Sequence, residues 1–257
     1  FIMESIQTKI RLKKKKKIMN IINHVFSIDE TTINFSGDKN DTYSKVIENS
    51  FTSAISGNSN LSDEIKTMKG LSGRKFRVMM NNLIKIFNNP KYLEIGSWLG
   101  SSACSVCCNN KVNITCIDDW SQNFSTDLDS KKIFKKNLKK ILNENISLQI
   151  IEKDFRKVNF QNLNDINIYF YDGSHHYQDH YDAIKLVLPS LTKKFILIVD
   201  DWNWEQVRKG TLDSIYNEKL KIISKLEIRT TTDNSSSLIV GENSDWHQGV
   251  AFLVVKK

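Results

Sequence analysis

The sequence of 257 residues predicts an α/β fold built on a mostly parallel sheet. Beyond Pro90, short apolar runs alternate with helical stretches, which indicates parallel strands joined by right-handed crossovers. Glycines or carboxylates follow nearly every run, at the edge where open α/β sheets bind ligands. The last two runs have only a polar loop between them, which predicts an antiparallel hairpin that closes the edge of the sheet.

The segment before this pattern divides into two parts. Residues 1–40 combine a basic tract, a short apolar patch and a polar stretch, and we expect a poorly ordered tail there. Residues 41–89 predict helices that form a cap or lid. The clearest of them covers Arg74 to Phe87, where apolar side chains recur every three or four residues until Pro90 ends the helix. Residues 90–257 then form the ligand-binding domain.

Five strands and four helices are predicted to alternate in that domain. The strands are Tyr92–Ile95, Val112–Ile117, Leu148–Ile151, Ile166–Tyr171 and Phe195–Val199. The helices are Ser101–Cys108, Leu128–Leu142, His180–Leu188 and Glu205–Tyr216. The terminal hairpin pairs Lys225–Thr231 with Val250–Val255.

Charge and cysteine content exclude several classes of protein. Seven basic residues and one glutamate in residues 1–18 account for most of the net charge of +8, so the rest of the chain is nearly neutral and does not predict a nucleic-acid surface. No apolar run approaches the roughly 20 residues of a membrane span. The four cysteines lie between residues 104 and 116 without the second pair or the histidine of a zinc site. We expect reduced core cysteines and a cytoplasmic protein.

A glycine-containing turn follows the first predicted strand, in the segment Glu94-Ile-Gly96-Ser-Trp-Leu-Gly100-Ser-Ser102. Two glycines between a strand and a helix let the backbone approach a ligand at a helix N-terminus. The G-x-G-x-x-G pattern of nicotinamide sites is absent, and Trp98 would obstruct a pyrophosphate. The turn therefore favours a ligand without phosphates, although it also fits a purely structural turn.

Carboxylates follow the second and third predicted strands. Asp118 lies 24 residues beyond Glu94, a spacing at which a carboxylate typically binds ribose hydroxyls, with Asp119 as the second choice. Asp154 could reach an adenine amino group, but it also fits a helix N-cap before Phe155.

Three further aspartates follow the fourth and fifth strands. Asp172, Asp200 and Asp201 at neighbouring strand ends would repel one another, and a divalent cation such as Mg²⁺ would relieve this. His175 follows Asp172 by three residues and is a candidate general base. A lone histidine is more often structural, and we expect His180 to be a surface residue near a helix entry.

Together these motifs resemble a class I S-adenosylmethionine-dependent methyltransferase, in particular the metal-dependent O-methyltransferases of the macrocin O-methyltransferase type. The resemblance covers about residues 70–257. It implies a Rossmann-like, seven-stranded sheet with the last strand antiparallel. It also implies a cofactor site and a metal site, with His175 removing the acceptor proton. The implied cofactor-binding residues are Glu94, Gly96, Gly100, Ser102, Asp118 and Asp154, and the implied metal ligands are Asp172, Asp200 and Asp201.

The resemblance also narrows the reaction. Macrocin-type enzymes often have a Glu-Asp pair where this chain has Asp200-Asp201, and catechol-type relatives have lysine where this chain has His175. The histidine favours methylation of a sugar or glycosylated small-molecule hydroxyl, with S-adenosylmethionine and Mg²⁺ as cofactors. The alternatives are another Rossmann-type nucleotide-cofactor or nucleotide-sugar enzyme, or a non-metal methyltransferase of a different acceptor. We expect no nucleic-acid partner and no membrane span, and a homo-oligomer is compatible with the sequence.

Overall fold

An eight-stranded sheet forms the centre of the computed structural model, which describes residues 31–122 and 128–257. The strands are β1 (Thr32–Gly37), β2 (Lys91–Ile95), β3 (Val112–Ile117), β4 (Ile146–Ile151), β5 (Ile166–Tyr171), β6 (Leu191–Asp200), β7 (Lys221–Arg229) and β8 (Val250–Lys256). Their order across the sheet is β1-β7-β8-β6-β5-β2-β3-β4.

Helices cover the sheet within the described residues. They are α1 (Thr42–Ile55), α2 (Asp63–Lys66), α3 (Arg74–Ile86), α4 (Ser101–Cys107), α5 (Ser130–Lys139), α6 (Tyr177–Val187) and α7 (Glu205–Asn217). Short 3-10 turns lie at Phe155–Lys157, Phe160–Asn162, Leu188–Ser190 and Gly241–Asn243. None of the helices in residues 31–122 and 128–257 is long and apolar enough to cross a membrane.

The sheet is parallel where the sequence alternates and antiparallel at its end. Strands β4, β3, β2, β5 and β6 pair in parallel, and β8 runs antiparallel to both β6 and β7. This confirms the α/β class and the antiparallel last strand. The hairpin does not close the edge as predicted, because β8 inserts between β6 and β7 and β1 pairs with the outer side of β7.

The sheet has eight strands, whereas the resemblance implies seven, and β1 is the additional strand. Of the tail predicted for residues 1–40, residues 1–30 lie outside the described residues, whereas Thr32–Gly37 is an ordered edge strand. Its residues pair from Thr32 with Arg229 to Gly37 with Ser224. Ile33 and Phe35 are residues that favour strands, so this part of the tail pairs with a free sheet edge instead of remaining irregular.

The helices of residues 41–89 form part of the core. The apolar stripe of α3 is buried, and the Phe76 ring lies 5.4 Å from that of Phe170 and 6.3 Å from that of Phe252. Strand β5 is buried on both faces, with Ile168 and Phe170 in one cluster and Tyr169 in the other. All four cysteines are buried and free of disulfides, as expected for core residues.

Candidate functional site

A cavity of about 590 Å³ opens at the carboxyl ends of the parallel strands. One part of its wall comes from the turns after β2, β3 and β4, and the other part comes from the turns after β5 and β6 and from residues 236–248. We call the first part the cofactor end and the second part the acceptor end. This position is the one that the strand-end motifs predict for a ligand site.

The two glycines of the β2–α4 turn are required first by packing. Gly96 has φ +93°, and a Cβ there would overlap the carbonyl oxygen of Asp172 on the neighbouring strand. Gly100 has φ +83°, and a Cβ there would lie 2.8 Å from the Phe134 ring. Gly96 lines the cavity, whereas Gly100 lies behind the wall. The purely structural interpretation therefore explains Gly100, and a direct cofactor contact stays a prediction.

Glu94 and Ser102 lie at different depths. Glu94 is fully buried beneath the turn and accepts a hydrogen bond of 3.0 Å from the Tyr92 hydroxyl. Burial raises the pKa of its carboxyl group above the usual value. Ser102 lines the cavity near the start of α4. Glu94 therefore supports the turn from below, whereas Ser102 is placed for contact with a ligand.

Asp118 connects two tryptophan-containing turns. Its Oδ2 accepts the backbone N–H of Trp98 and its Oδ1 accepts that of Trp120, each at 2.7 Å. Trp98 and Trp120 have left-handed φ values of 41° and 51°, and the Trp120 indole donates to the Trp98 carbonyl at 3.0 Å. Burial raises the pKa of Asp118, and the two backbone donors oppose this rise. Asp118 lines the cavity, so each oxygen can accept a further ligand hydrogen bond.

Asp154 caps the 3-10 turn after β4. Its Oδ1 accepts the backbone N–H of Arg156 at 3.0 Å, which confirms the N-cap alternative. Asp154 also lines the cavity, so the adenine contact stays open as a second role. The Arg156 guanidinium forms an ion pair with Asp179 on α6 and thereby fixes this turn beside the site.

The aspartates of the acceptor end form two overlapping groups. Potential ligand atoms of Asp172, His175 and Asp201 lie within 4.8 Å of one another, and so do those of Asp200, Asp201 and His247. The implied metal triad is therefore divided between two groups that share Asp201. Burial, followed by repulsion from neighbouring aspartates, raises the pKa of both Asp172 and Asp200 well above the usual value.

His175 and Asp201 are paired within the cavity wall. The Nε2 atom of His175 lies 2.7 Å from Asp201 Oδ2, and the Trp204 ring lies 4.7 Å from the imidazole. Burial lowers the pKa of His175, but its hydrogen bond to Asp201 and the charge of Asp201 outweigh burial and raise it above the usual value. Asp201 has φ +58°, and its buried Oδ1 has no hydrogen-bond partner among the described residues.

Sequence reasoning missed His247, which lies in a polar loop without hydrophobic periodicity. It lines the cavity, has φ +49°, and accepts the backbone N–H of Gly241 on Nδ1 at 2.9 Å. Burial lowers its pKa. A histidine close to the glycine before the last strand carries no local signal, because only the folded loop places it beside Asp200 and Asp201.

The expected surface position of His180 is wrong. Helix α6 begins at Tyr177, three residues before the predicted start, so His180 lies on the inward face and is 2% exposed. Its ring stands edge-on to Tyr171 at 4.8 Å, and Nδ1 lies 3.4 Å from the Thr211 hydroxyl. Burial lowers its pKa to about 3.

Comparison with known proteins identifies the domain. Residues 93–202 match the family model described as a methyltransferase domain. No curated protein matches the chain. A proposed caffeoyl-CoA O-methyltransferase from Staphylococcus aureus is similar in structure at 16% identity and TM-score 0.49, over 95% of this chain and 99% of that one. An O-methyltransferase from Bacillus cereus in complex with SAH (S-adenosylhomocysteine) is similar at 13% identity and TM-score 0.47, over 93% and 97%.

The matched segment begins in β2 and ends just after β6, so it contains every strand-end carboxylate of the cavity wall. The chain therefore matches a methyltransferase domain over residues 93–202.

Proposed function

We propose that the chain transfers a methyl group to a hydroxyl of a sugar or glycosylated small molecule, with Mg²⁺ and with His175 as general base. The observation that carries this proposal is the 2.7 Å pairing of His175 with Asp201 in the cavity wall, next to Asp172. The resemblance of the motifs around His175 and Asp200 to macrocin-type O-methyltransferases supports a sugar acceptor.

The cofactor end suits S-adenosylmethionine in size and chemistry. The whole cavity, of which the cofactor end is one part, has a volume of about 590 Å³, within the range of small-molecule sites. Gly96 and Ser102 would hold the methionine end, Asp118 the ribose and Asp154 the adenine, while Glu94 and Gly100 keep the turn in place from behind. When bound, the cofactor supplies an electrophilic methyl group.

The acceptor end suits a hard divalent cation. Asp201 Oδ1 is buried and lacks a hydrogen-bond partner among the described residues, although a carboxylate oxygen in that position needs one. Asp172 and Asp201 offer oxygen atoms within 4.8 Å of each other, and Asp200 lies next to them in the second group. Asp201, together with Asp172 and Asp200, would hold the cation, which would supply a lower pKa for an acceptor hydroxyl.

His175 is positioned by its partner to accept a proton. Because Nε2 donates to Asp201 Oδ2, Nδ1 is the ring atom that can take the proton of the acceptor hydroxyl. Asp201 keeps the ring in this orientation and stabilises its protonated form. The Trp204 ring packs beside the imidazole and shields that side from water. Leu71, from residues 41–89, also lines the cavity, which supports a role of this segment as a cap.

Isothermal titration calorimetry tests the proposal directly. The full chain is titrated with S-adenosylmethionine and with SAH, each with and without Mg²⁺, and we expect both compounds to bind. If neither S-adenosylmethionine nor SAH binds, the result contradicts the proposed cofactor. On an identified acceptor, full turnover by both His175→Ala and Asp200→Ala contradicts the assignment of base and metal.

A metal-free variant of this reaction has one observation in its favour. The raised pKa of Asp172 and of Asp200 allows these carboxyl groups to hold protons, which removes repulsion without a cation. In that case His175 and Asp201 alone act on the acceptor hydroxyl. Turnover that persists after exhaustive treatment with EDTA supports the metal-free variant, whereas loss of turnover and its recovery with Mg²⁺ support the metal-assisted reaction.

A further inference from the structure

His247 and Gln248 are neighbours in the wall of the acceptor end. In each side chain, the hydrogen-bond acceptor atom already receives a hydrogen bond from the backbone of the same loop. The backbone N–H of Gly241 donates to His247 Nδ1 at 2.9 Å. The backbone N–H of Ser237 donates to Gln248 Oε1 at 2.7 Å. Both side chains are largely buried and both line the cavity.

These two bonds determine what each side chain can offer a ligand. A neutral imidazole whose Nδ1 accepts a hydrogen bond carries its proton on Nε2. An amide whose oxygen accepts a hydrogen bond presents its NH₂ group on the other side. Within the described chain, neither remaining nitrogen has a hydrogen-bond partner. The loop therefore presents two N–H donors and no free acceptor at these positions.

The loop is held in place by a buried polar network that extends to the end of β6. Asn203 donates to the hydroxyls of Thr230 and Ser237 and accepts the backbone N–H of Thr230 at 2.9 Å. Both hydroxyls in turn donate to the His247 carbonyl, at 3.1 and 2.8 Å. Asn203 follows Asp201 by two residues, so one network fixes the loop relative to the aspartates.

The aspartates next to this loop offer acceptors. Asp201 Oδ1 has no partner among the described residues, and Asp172 lies within 4.8 Å of His175 and Asp201. A ligand group that contacts both the loop and these aspartates must accept hydrogen bonds from N–H groups and donate hydrogen bonds to carboxylates. A hydroxyl group can do both. A carboxylate or phosphate group is repelled by the negatively charged aspartates. An ammonium group has no acceptor atom for the two N–H donors.

We propose that His247 and Gln248 are specificity-determining residues that donate hydrogen bonds to hydroxyl oxygens of a neutral polyhydroxylated acceptor. This inference rests on the proposed function for the identity of the acceptor end. His247 serves here as a donor and not as a metal ligand, because its Nδ1 is occupied and its Nε2 carries the proton.

The donor state of His247 is tested without any ligand. Long-range ¹⁵N–¹H correlation spectra of the ¹⁵N-labelled full chain are assigned with His247→Phe, and His176→Gln, at an exposed histidine, serves as the control variant. We expect the His247 ring to be neutral with its proton on Nε2. A proton on Nδ1 overturns the proposal.

Recognition is tested with a panel of methyl glycosides as probes and with the matching uronic acids as anionic controls. We expect the glycosides to shift the Gln248 amide and His247 Nε2–H resonances and the uronic acids to leave them unchanged. Gln248→Glu keeps an oxygen for Ser237 but removes the donor, so we expect it and His247→Phe to bind glycosides about ten-fold more weakly. Wild-type affinity in both variants, or no shift with any glycoside, overturns the proposal.

Calorimetry with SAH separates this proposal from the proposed function. Both variants should bind SAH with wild-type affinity, because the substituted residues lie at the acceptor end. Failure of the wild-type chain to bind SAH contradicts the proposed function. The His247 tautomer is measured without ligand, so its result does not depend on SAH binding. A loss of SAH affinity in the variants equal to their loss of glycoside affinity indicates general disruption of the cavity and overturns the specificity role.

Discussion

The carboxylate of Asp118 accepts the backbone N–H of Trp98 at 2.7 Å, across 20 residues of chain. The bond ties the turn after β3 to the glycine-containing turn after β2. A residue predicted from its spacing as a ribose ligand therefore also shapes the backbone against which the cofactor is expected to lie. Its two functions depend on the same charge.

Replacement of Asp118 by asparagine tests both functions. One backbone N–H then faces an NH₂ group instead of an oxygen, which we expect to lower the free energy of unfolding by about 1–3 kcal/mol. We also expect SAH affinity to fall about ten-fold or more. Urea unfolding and calorimetry measure the two effects. Asp119→Asn is the control for the effect on stability, because the neighbouring carboxylate is exposed and its hydrogen bonds within the described residues stay in its own turn, with Ser121. Equal effects at both positions contradict the prediction.

A comparison of alanine substitutions at Gly96 and Gly57 distinguishes the cost of backbone strain from the cost of steric overlap. Both have positive φ, +93° and +72°, but a Cβ at Gly57 meets no atom within 4 Å, whereas one at Gly96 overlaps the Asp172 carbonyl. Gly57→Ala should therefore cost only the conformational penalty of about 1–2 kcal/mol. Gly96→Ala should cost several kilocalories per mole more, because β2 and β5 must move apart. Urea unfolding of the two variants provides the measurement, and similar losses contradict the role given to the overlap.

The sequence predicts the parallel part of the sheet because its apolar runs are continuous and are punctuated by glycines and carboxylates. Strand β1 could not be predicted in the same way. Its residues gain their stability by pairing with β7, nearly two hundred positions later, and no local pattern carries that information. The insertion of β8 between β6 and β7 is likewise a property of the assembled sheet.

In the candidate site too, residues that belong to a local sequence pattern could be predicted, whereas residues placed by the assembled fold could not. Asp118, Asp172 and Asp201 could be found because each directly follows a strand, and the ends of parallel strands meet at one edge. His247 and Gln248 could not be found, because a long polar loop carries them to the cavity and side-chain hydrogen bonds fix that loop. The division of the aspartates into two groups depends on atomic distances, which strand-end positions alone do not supply.

Arg77 is a buried guanidinium that stabilises the segment leading into α3. It donates to the backbone carbonyls of Ile65, Lys66, Met68 and Gly70 and to the Ser72 hydroxyl, and burial lowers its pKa to about 10. Arg77→Met leaves these acceptors without donors, and we expect a loss of about 3–5 kcal/mol in the free energy of unfolding. Arg74→Met is the matched control, since Arg74 is exposed and its side chain bonds one carbonyl, that of Glu242. A loss as small as that of the control contradicts a stabilising role for Arg77.

His180 makes the stability of the fold depend on pH. Burial holds its pKa at about 3 against the charge of Asp201, while the unfolded chain binds a proton near the usual value of about 6.5. Below that value the unfolded state takes up the proton and the folded state does not, so stability falls as pH falls. The expected loss from this group is about 2 kcal/mol between pH 7 and pH 5.

His180→Phe removes this contribution and keeps an aromatic ring beside Tyr171. The difference in the free energy of unfolding between wild type and variant should therefore shrink by that amount or change sign when urea unfolding is repeated at the lower pH. His175 has a raised pKa and contributes with the opposite sign, but it is present in both proteins and cancels in the difference. His176→Gln, at an exposed position, should retain the wild-type dependence on pH. An unchanged difference across this range would show that His180 is able to bind a proton in the folded chain.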